Sequence, residues 1–208
     1  MYTSEEETIN SISHALSAII TMLITLLLAI KNNFNPQLFP LYIMASSMSW
    51  VFFASYLYHS TEKQPKRERN RFVDRSAIYI AIIGNGCAIA MLSTSALLAI
   101  SCVILLITIS IPLIFNLCLK IKPKKVVFVF PYILMGWVAV FPACGLFENS
   151  YAQFPQIFFL LGGGIAYSVG IIFFIKDVIK WYHTAWHFFV MLGFALHYTG
   201  MCISLQAI

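Results

Sequence analysis

The amino-acid sequence predicts an all-α integral membrane protein, a seven-transmembrane helix bundle with its N-terminus in the cytoplasm and its C-terminus outside. The prediction depends on the composition, the long apolar stretches and the placement of the basic residues. Of the 208 residues, 60% are hydrophobic and only 10% are charged. Soluble domains have about 25% charged residues, so this chain has too few charges to cover a surface that faces water. The length is that of a single domain, residues 1–208.

Seven apolar stretches approach or reach the length of about 20 residues that a helix needs to cross the hydrocarbon core of a bilayer. The third and fourth stretches are nearly fused, because Ser93, Thr94 and Ser95 are the only polar interruption between them. We expect a tight turn at these three residues; one continuous helix would reduce the number of spans to six. The predicted spans are residues 11–30, 40–58, 76–94, 96–117, 126–146, 154–175 and 185–206.

The basic residues predict the orientation, because cytoplasmic loops of membrane proteins hold an excess of Lys and Arg. Twelve of the 13 basic residues fall in three segments, 59–75, 118–125 and 176–184. With seven spans these segments lie on the side of the N-terminus, whereas six spans would place the last two opposite the first. We therefore expect a multi-pass protein of a bacterial-type plasma membrane, with a cytoplasmic N-terminus.

The formal net charge of +5 follows from the same segments. We attribute it to membrane topology and expect no nucleic-acid partner. Specific recognition of anionic lipid headgroups by the basic segment 122–125 is a less favoured alternative. The five cysteines form no C-x-x-C pair and fall in or beside apolar stretches, which predicts neither a disulfide framework nor a thiolate metal site.

Three histidines form a candidate metal site. His183 and His187 are four residues apart, so both imidazoles project from one face of a helix. His59 ends the second span, and the predicted topology places it at the same depth. Three histidines with one open coordination position are typical of a catalytic zinc. The alternative is that these histidines are interfacial residues that satisfy lipid headgroups.

Two further polar residues have candidate catalytic roles beside this site. Asp74, just before the third span, is positioned to orient or deprotonate a zinc-bound water. Ser55 is four residues before His59 and therefore lies on the same helix face, about 6 Å deeper. His14 and His197 are interpreted instead as helix-to-helix hydrogen bonds. In the sixth span, Gly162, Ala166 and Gly170 place small residues on one face for close helix contact.

Several short motifs, in order along the chain, resemble those of the hemolysin III and progestin/adiponectin-receptor superfamily. Each motif alone is weak, but the ordered set covers essentially the whole chain and is specific. The short termini resemble the bacterial hemolysin III branch. The motif residues are Glu7, Asn10 and His14; Ser55 and His59; Asp74, Ile78 and Tyr79; Met135, Gly136 and Trp137; Gly163, Gly164, Tyr167 and Gly170; His183 and His187; and His197 and Tyr198.

The resemblance implies a seven-helix fold, a zinc held by the three candidate histidines, and Ser55 and Asp74 beside the metal. It also implies hydrolysis of an amide bond in a lipid, with ceramide as the model substrate. The sequence departs from the usual hemolysin III pattern at Arg75, where histidine is usual, and in the stretch 84–89 of the third span.

The favoured hypothesis is therefore a zinc-dependent intramembrane lipid hydrolase whose partner is a membrane lipid. Two alternatives remain open at this point. One is a membrane-damaging cytolysin, which the family name suggests. The other is a receptor-like protein in which zinc is structural.

Overall fold

The computed structural model is all-helical in the residues that it describes, which are 2–93, 96–118, 125–140 and 154–206. These ranges contain seven α-helices and one short 3₁₀ turn, Pro36–Leu38. The helices are α1 (Ser4–Lys31), α2 (Phe39–His59), α3 (Lys66–Ala90), α4 (Ala96–Cys118), α5 (Lys125–Val140), α6 (Phe154–Ile175) and α7 (Tyr182–Ser204).

Five of these helices, α1, α2, α3, α6 and α7, are long and apolar enough to cross a membrane. Helices α4 and α5 contain shorter apolar stretches, Ala99–Ile111 and Val129–Ala139. Large apolar side chains are exposed along the outside of the bundle, which is the expected arrangement for a surface that faces lipid. On α1 alone they include Leu16, Ile20, Leu23 and Leu27. The all-helical fold is confirmed, whereas the count of seven crossings and the orientation stay predictions.

The polar interruption between the third and fourth apolar stretches is a break between two helices. Helix α3 ends at Ala90, α4 begins at Ala96, and α4 packs back against α3 and α5. Ser93 is outside any helix, and Thr94 and Ser95 lie outside the described residues. The alternative of one continuous helix through this region is therefore wrong.

The basic segment 59–75, predicted as a loop, is mostly helical because α3 begins at Lys66. The side chain of Asn70 attaches these first turns of α3 to the end of α2. Its Nδ2 donates to the carbonyl of Leu57 at 3.0 Å and to Oγ1 of Thr61 at 2.9 Å. These bonds satisfy polar groups at the end of α2 and attach the start of α3 to it. The lysines of the second basic segment up to residue 124 lie outside the described residues.

The bundle closes on itself because α1 packs against both α2 and α7, and α7 also packs against α2 and α6. The main core lies between α2, α3, α6 and α7, and its fully buried members include Leu41, Met44, Phe52, Ala88 and Met201. This closure brings the first residues of the chain to the start of α7, where two of the candidate ligands lie.

Helices α6 and α7 approach closely at small residues, as predicted, but one of the predicted positions is wrong. A Cβ added at Gly170 would lie 2.7 Å from Cβ of Phe189. A Cβ added at Gly163 would lie 2.1 Å from the His197 ring and 2.9 Å from the Gly193 carbonyl. At Gly162 the nearest atom would be 3.7 Å away. The closest approach is at Gly163 rather than at Gly162, whose nearest neighbour, the Leu196 side chain, also belongs to α7 but lies at an ordinary van der Waals distance.

Replacing Gly163 by Ala should destabilise the α6–α7 packing, because the backbone carbonyl of Gly193 cannot move as easily as a side chain. We expect Gly163→Ala to lower the free energy of unfolding by about 1–3 kcal/mol. Thermal unfolding in detergent measures this. Gly162→Ala is the matched control and should unfold at or above the wild-type temperature. Equal midpoints for the two variants would contradict the assigned packing face.

Candidate metal centre

The structure brings His59, His183 and His187 together at the end of the bundle that holds the N-terminus. His59 is the last residue of α2, and the other two lie one turn apart at the start of α7. All three are buried, and their potential ligand atoms lie within 4.8 Å of one another. Nε2 of His59 and Nε2 of His187 are 3.0 Å apart. The three imidazoles can therefore hold one metal ion.

The Glu7 side chain orients the His59 imidazole. Nδ1 of His59 lies 2.6 Å from Oε2 of Glu7, and Oε1 of the same carboxylate accepts a hydrogen bond from Arg67. A carboxylate accepts hydrogen bonds, so Nδ1 of His59 carries the proton and donates it. This leaves the lone pair on Nε2 directed toward the other two histidines, which is the tautomer that metal ligation needs.

Tyr2 orients His183 in the same way. The Tyr2 hydroxyl donates to Oδ2 of Asp177 at 3.0 Å, and it lies 3.1 Å from Nδ1 of His183. Since its own proton points to Asp177, the hydroxyl oxygen accepts from Nδ1–H, and Nε2 of His183 is left for a metal. The two rings are stacked, with centroids 4.3 Å apart. Burial raises the pKa of Tyr2, and the Asp177 carboxylate raises it further, so the hydroxyl keeps its proton.

The start of α7 is fixed by a carboxylate from α1. Oε1 of Glu6 accepts a hydrogen bond from the backbone N–H of Trp181 at 2.6 Å. Trp181, directly before α7, has a φ of 71°, a left-handed conformation that is unfavourable for a bulky residue. Nearby, Lys180 pairs with Glu5 at 3.6 Å, and Thr3 caps α1 through a capping box with Glu6. The Glu6 carboxylate therefore holds the turn that positions His183, whereas the Glu5–Lys180 pair is exposed.

Asp74 and Ser55 lie beside the histidines. Both line a cavity of about 110 Å³ that His183 and His187 also line. The Ser55 hydroxyl is next to the Asp74 carboxylate, although the two groups do not meet ordinary hydrogen-bond geometry. The cavity therefore combines the open side of the metal site with a carboxylate and a hydroxyl.

The two remaining histidines behave differently from each other. His197 donates from Nε2 to the carbonyl of Leu160 at 2.9 Å, which confirms a helix-to-helix hydrogen bond. The same interpretation is wrong for His14, because neither ring nitrogen has a hydrogen-bond partner among the described residues, and the Asn10 amide has none either. The His14 ring instead packs edge-on against His187, with centroids 4.2 Å apart.

The donor set fits a divalent transition metal. Imidazole nitrogen is a preferred ligand of such ions, and all three rings are buried. Two nitrogens bound to a tetrahedral zinc at 2.0–2.1 Å are about 3.3 Å apart. The 3.0 Å between Nε2 of His59 and Nε2 of His187 is close to that separation. The side toward the cavity leaves room for a further ligand.

Sequence reasoning missed the residues that orient the ligands. Glu7 belongs to a recognisable motif at the start of α1, but nothing in its spacing relates it to His59. Tyr2 carries no local signal, since its contact with His183 depends on how the bundle closes. The Arg67 guanidinium was counted only among the basic residues that set the topology.

Glu7→Gln should weaken metal binding, because an amide does not hold the His59 tautomer as a carboxylate does. We expect the metal dissociation constant to rise about 10–100-fold. Competition with a chromophoric chelator on the detergent-purified protein measures it. Glu5→Gln is the matched control, since Glu5 is exposed and pairs with the exposed Lys180, and the affinity of this variant should equal that of the wild type. Equal affinities for Glu7→Gln and the wild type would contradict the role of Glu7.

Comparison with known proteins places the chain in a family. Residues 2–198 match the family described as "Haemolysin-III related". The chain is 27% identical to "Hemolysin-3 homolog" of Bacillus subtilis (strain 168) over 199 residues, which cover 94% of this chain and 92% of that protein. It is 28% identical to "Hemolysin-3" of Bacillus cereus over 195 residues, 92% of this chain and 88% of that protein. No solved structure matches the chain significantly. The chain is therefore an integral, multi-pass membrane protein that belongs to the hemolysin III family.

Proposed function

We propose that this protein is a zinc-dependent intramembrane hydrolase that cleaves an amide bond in a membrane lipid, with ceramide as the model substrate. The observation that carries this proposal is the cluster of three buried imidazoles beside a cavity that also holds Asp74 and Ser55. Zinc is the ion that three histidines with one open position favour in hydrolytic sites. The resemblance to lipid-amide hydrolases of the wider superfamily supports the same chemistry.

The residues around the site have separate roles. When bound, zinc would supply a Lewis acid that lowers the pKa of a coordinated water to about 7. The Asp74 carboxylate accepts the proton that the attacking water loses and can return it to the amine that leaves. The Ser55 hydroxyl donates a hydrogen bond to the carbonyl oxygen of the substrate as negative charge develops there. Water and the amide thus give a fatty acid and a free amine.

An apolar cavity next to the metal centre supports a lipid substrate. It has a volume of about 100 Å³ and lies deeper between the helices. Four residues, Val51, Ile78, Trp186 and Val190, line both this cavity and the one that holds Asp74. An acyl chain in the deeper cavity would therefore place its carbonyl group near the histidines.

Removing one ligand should abolish both metal binding and hydrolysis. His59→Ala leaves two imidazoles, so we expect the purified protein to hold little zinc and to release no fatty acid from ceramide above background. Elemental analysis and a fatty-acid release assay measure the two quantities on the same preparation. Wild-type protein stripped with a chelator should lose activity and regain it with added zinc. A variant that folds, and keeps metal and activity, would exclude the assignment.

The two catalytic roles can be separated from metal binding. We expect Asp74→Asn to lower kcat by about 10²–10⁴-fold and Ser55→Ala by about 10²-fold, with bound zinc unchanged in both. Ser49→Ala is the matched control, because Ser49 lies on the same helix with a buried hydroxyl but does not line the metal cavity. Unchanged kcat in Asp74→Asn would show that another group accepts the proton.

A membrane-damaging cytolysin is the second candidate, and the names of the two relatives favour it. Leakage of a dye from liposomes separates the two functions. Release that is the same for wild type and His59→Ala, without fatty-acid production, would favour the cytolysin. Retained zinc with neither leakage nor hydrolysis would favour a receptor-like protein with a structural metal.

A further inference from the structure

The deeper apolar cavity contains three polar groups for which the structure gives no partner. They are Oδ1 of Asn85 on α3, the hydroxyl of Tyr167 on α6 and Nδ1 of His197 on α7. All three residues line this cavity, and the Tyr167 and His197 rings are in contact, with centroids 5.5 Å apart. Asn85 and His197 are 7% and 4% exposed. Buried polar atoms are rarely left unpaired, so these atoms indicate a polar occupant.

The donors and acceptors of this group define what the occupant must be. His197 donates from Nε2 to the Leu160 carbonyl, so its Nδ1 is an acceptor in the neutral ring. Asn85 Oδ1 is also an acceptor, whereas the Tyr167 hydroxyl can donate or accept. A carboxylate would face two acceptors, and a ketone could pair only with Tyr167. Among the polar groups of a lipid chain a hydroxyl fits best, because it can donate to one of the two acceptors and accept from Tyr167, while a water satisfies the other acceptor.

The depth of these three polar residues in the bundle determines the position that the hydroxyl would have along the lipid chain. His197 is ten residues beyond His187 on α7, and Asn85 is eleven residues beyond Asp74 on α3. At 1.5 Å per residue the two pairs are separated by about 15 Å and about 16.5 Å along their helices. An extended carbon chain advances about 1.25 Å per bond, from bonds of about 1.5 Å near the tetrahedral angle. The distance corresponds to about twelve carbons from the carbonyl.

We propose that Asn85, Tyr167 and His197 bind a hydroxyl group near carbon twelve of a buried acyl chain, so that the protein prefers lipids with a mid-chain hydroxyl. The apolar remainder of the cavity holds the chain itself. The proposal deepens the hydrolytic function proposed above and rests on it for the identity of the substrate head, but its binding step can be measured without hydrolysis.

The test compares two probes that differ only in the hydroxyl, N-stearoyl-sphingosine and N-(12-hydroxystearoyl)-sphingosine. Binding to the zinc-loaded Asp74→Asn protein, in which hydrolysis is slow, is measured in bicelles of one composition. We expect this protein to bind the hydroxylated probe about tenfold more tightly, and the further substitutions below are made in the same background. Tyr167→Phe and Asn85→Leu, which keep the size of the side chain, should each bring the ratio close to one. Tyr42→Phe is the matched control and should keep the ratio, because its buried, unpartnered hydroxyl lies on a different groove between α1 and α2.

Fatty-acid release from the same two probes by the wild-type protein distinguishes the failure of each proposal. A tenfold preference in binding without any release would exclude the hydrolase and support the hydroxyl site. Release from both probes with equal affinity would support the hydrolase and overturn the hydroxyl site, whose polar atoms would then hold only water. The hydroxyl site is also overturned if neither probe binds, or if the preference survives in folded Tyr167→Phe and Asn85→Leu proteins, as judged by their thermal unfolding.

Discussion

The contact of the N-terminal segment, residues 2–7, with α2 and α7 determines the geometry of the metal centre. The three imidazoles come from the end of one helix and the start of another, which are far apart in the chain. Three residues of this segment act as anchors. Glu7 binds His59 on α2, Tyr2 binds His183 on α7, and Glu6 binds the turn before α7. A histidine that ligates a metal needs a fixed tautomer and ring orientation. These anchors supply both, so the site depends on closure of the bundle at α1.

The cost of burying charge explains where the Glu7 and Arg67 side chains lie. Charged groups taken out of water lose more solvation energy than a simple ion pair returns, so the Glu7–Arg67 pair is weak evidence for added stability. Their side chains are 18% and 20% exposed, whereas the His59 side chain is fully buried. The charges therefore remain at a partly exposed rim, and only the imidazole ring enters the interior. The Glu7–Arg67 pair orients the His59 imidazole more than it stabilises the fold.

Features that depend on local sequence could be predicted, and features that depend on bundle closure could not. The bounds of α6, Phe154–Ile175, agree with the predicted span because the apolar stretch ends at a charged residue, Lys176. The spacing of His183 and His187 predicts adjacent imidazoles because helix geometry fixes it. By contrast, the first turns of α3 are too polar to be recognised as part of an apolar helix, and Asn70 holds them through contacts with α2. The roles of Tyr2 and Glu7 are long-range contacts without any periodic signal.

The atypical stretch at the middle of α3 links helix packing to the chemistry of the deeper cavity. A Cβ at Gly84 would lie 2.3 Å from Oγ of Ser47 on α2, and one at Gly86 would lie 2.4 Å from the Leu106 side chain on α4. The two glycines let α3 approach a helix on each side, and Asn85 between them lines the cavity. This stretch contains none of the residues that hold or orient the metal ligands. The N-terminal segment and the first turns of α3 therefore shape the histidine end of the bundle, whereas the stretch 84–89 of α3 shapes the deeper cavity, so the two regions can change independently.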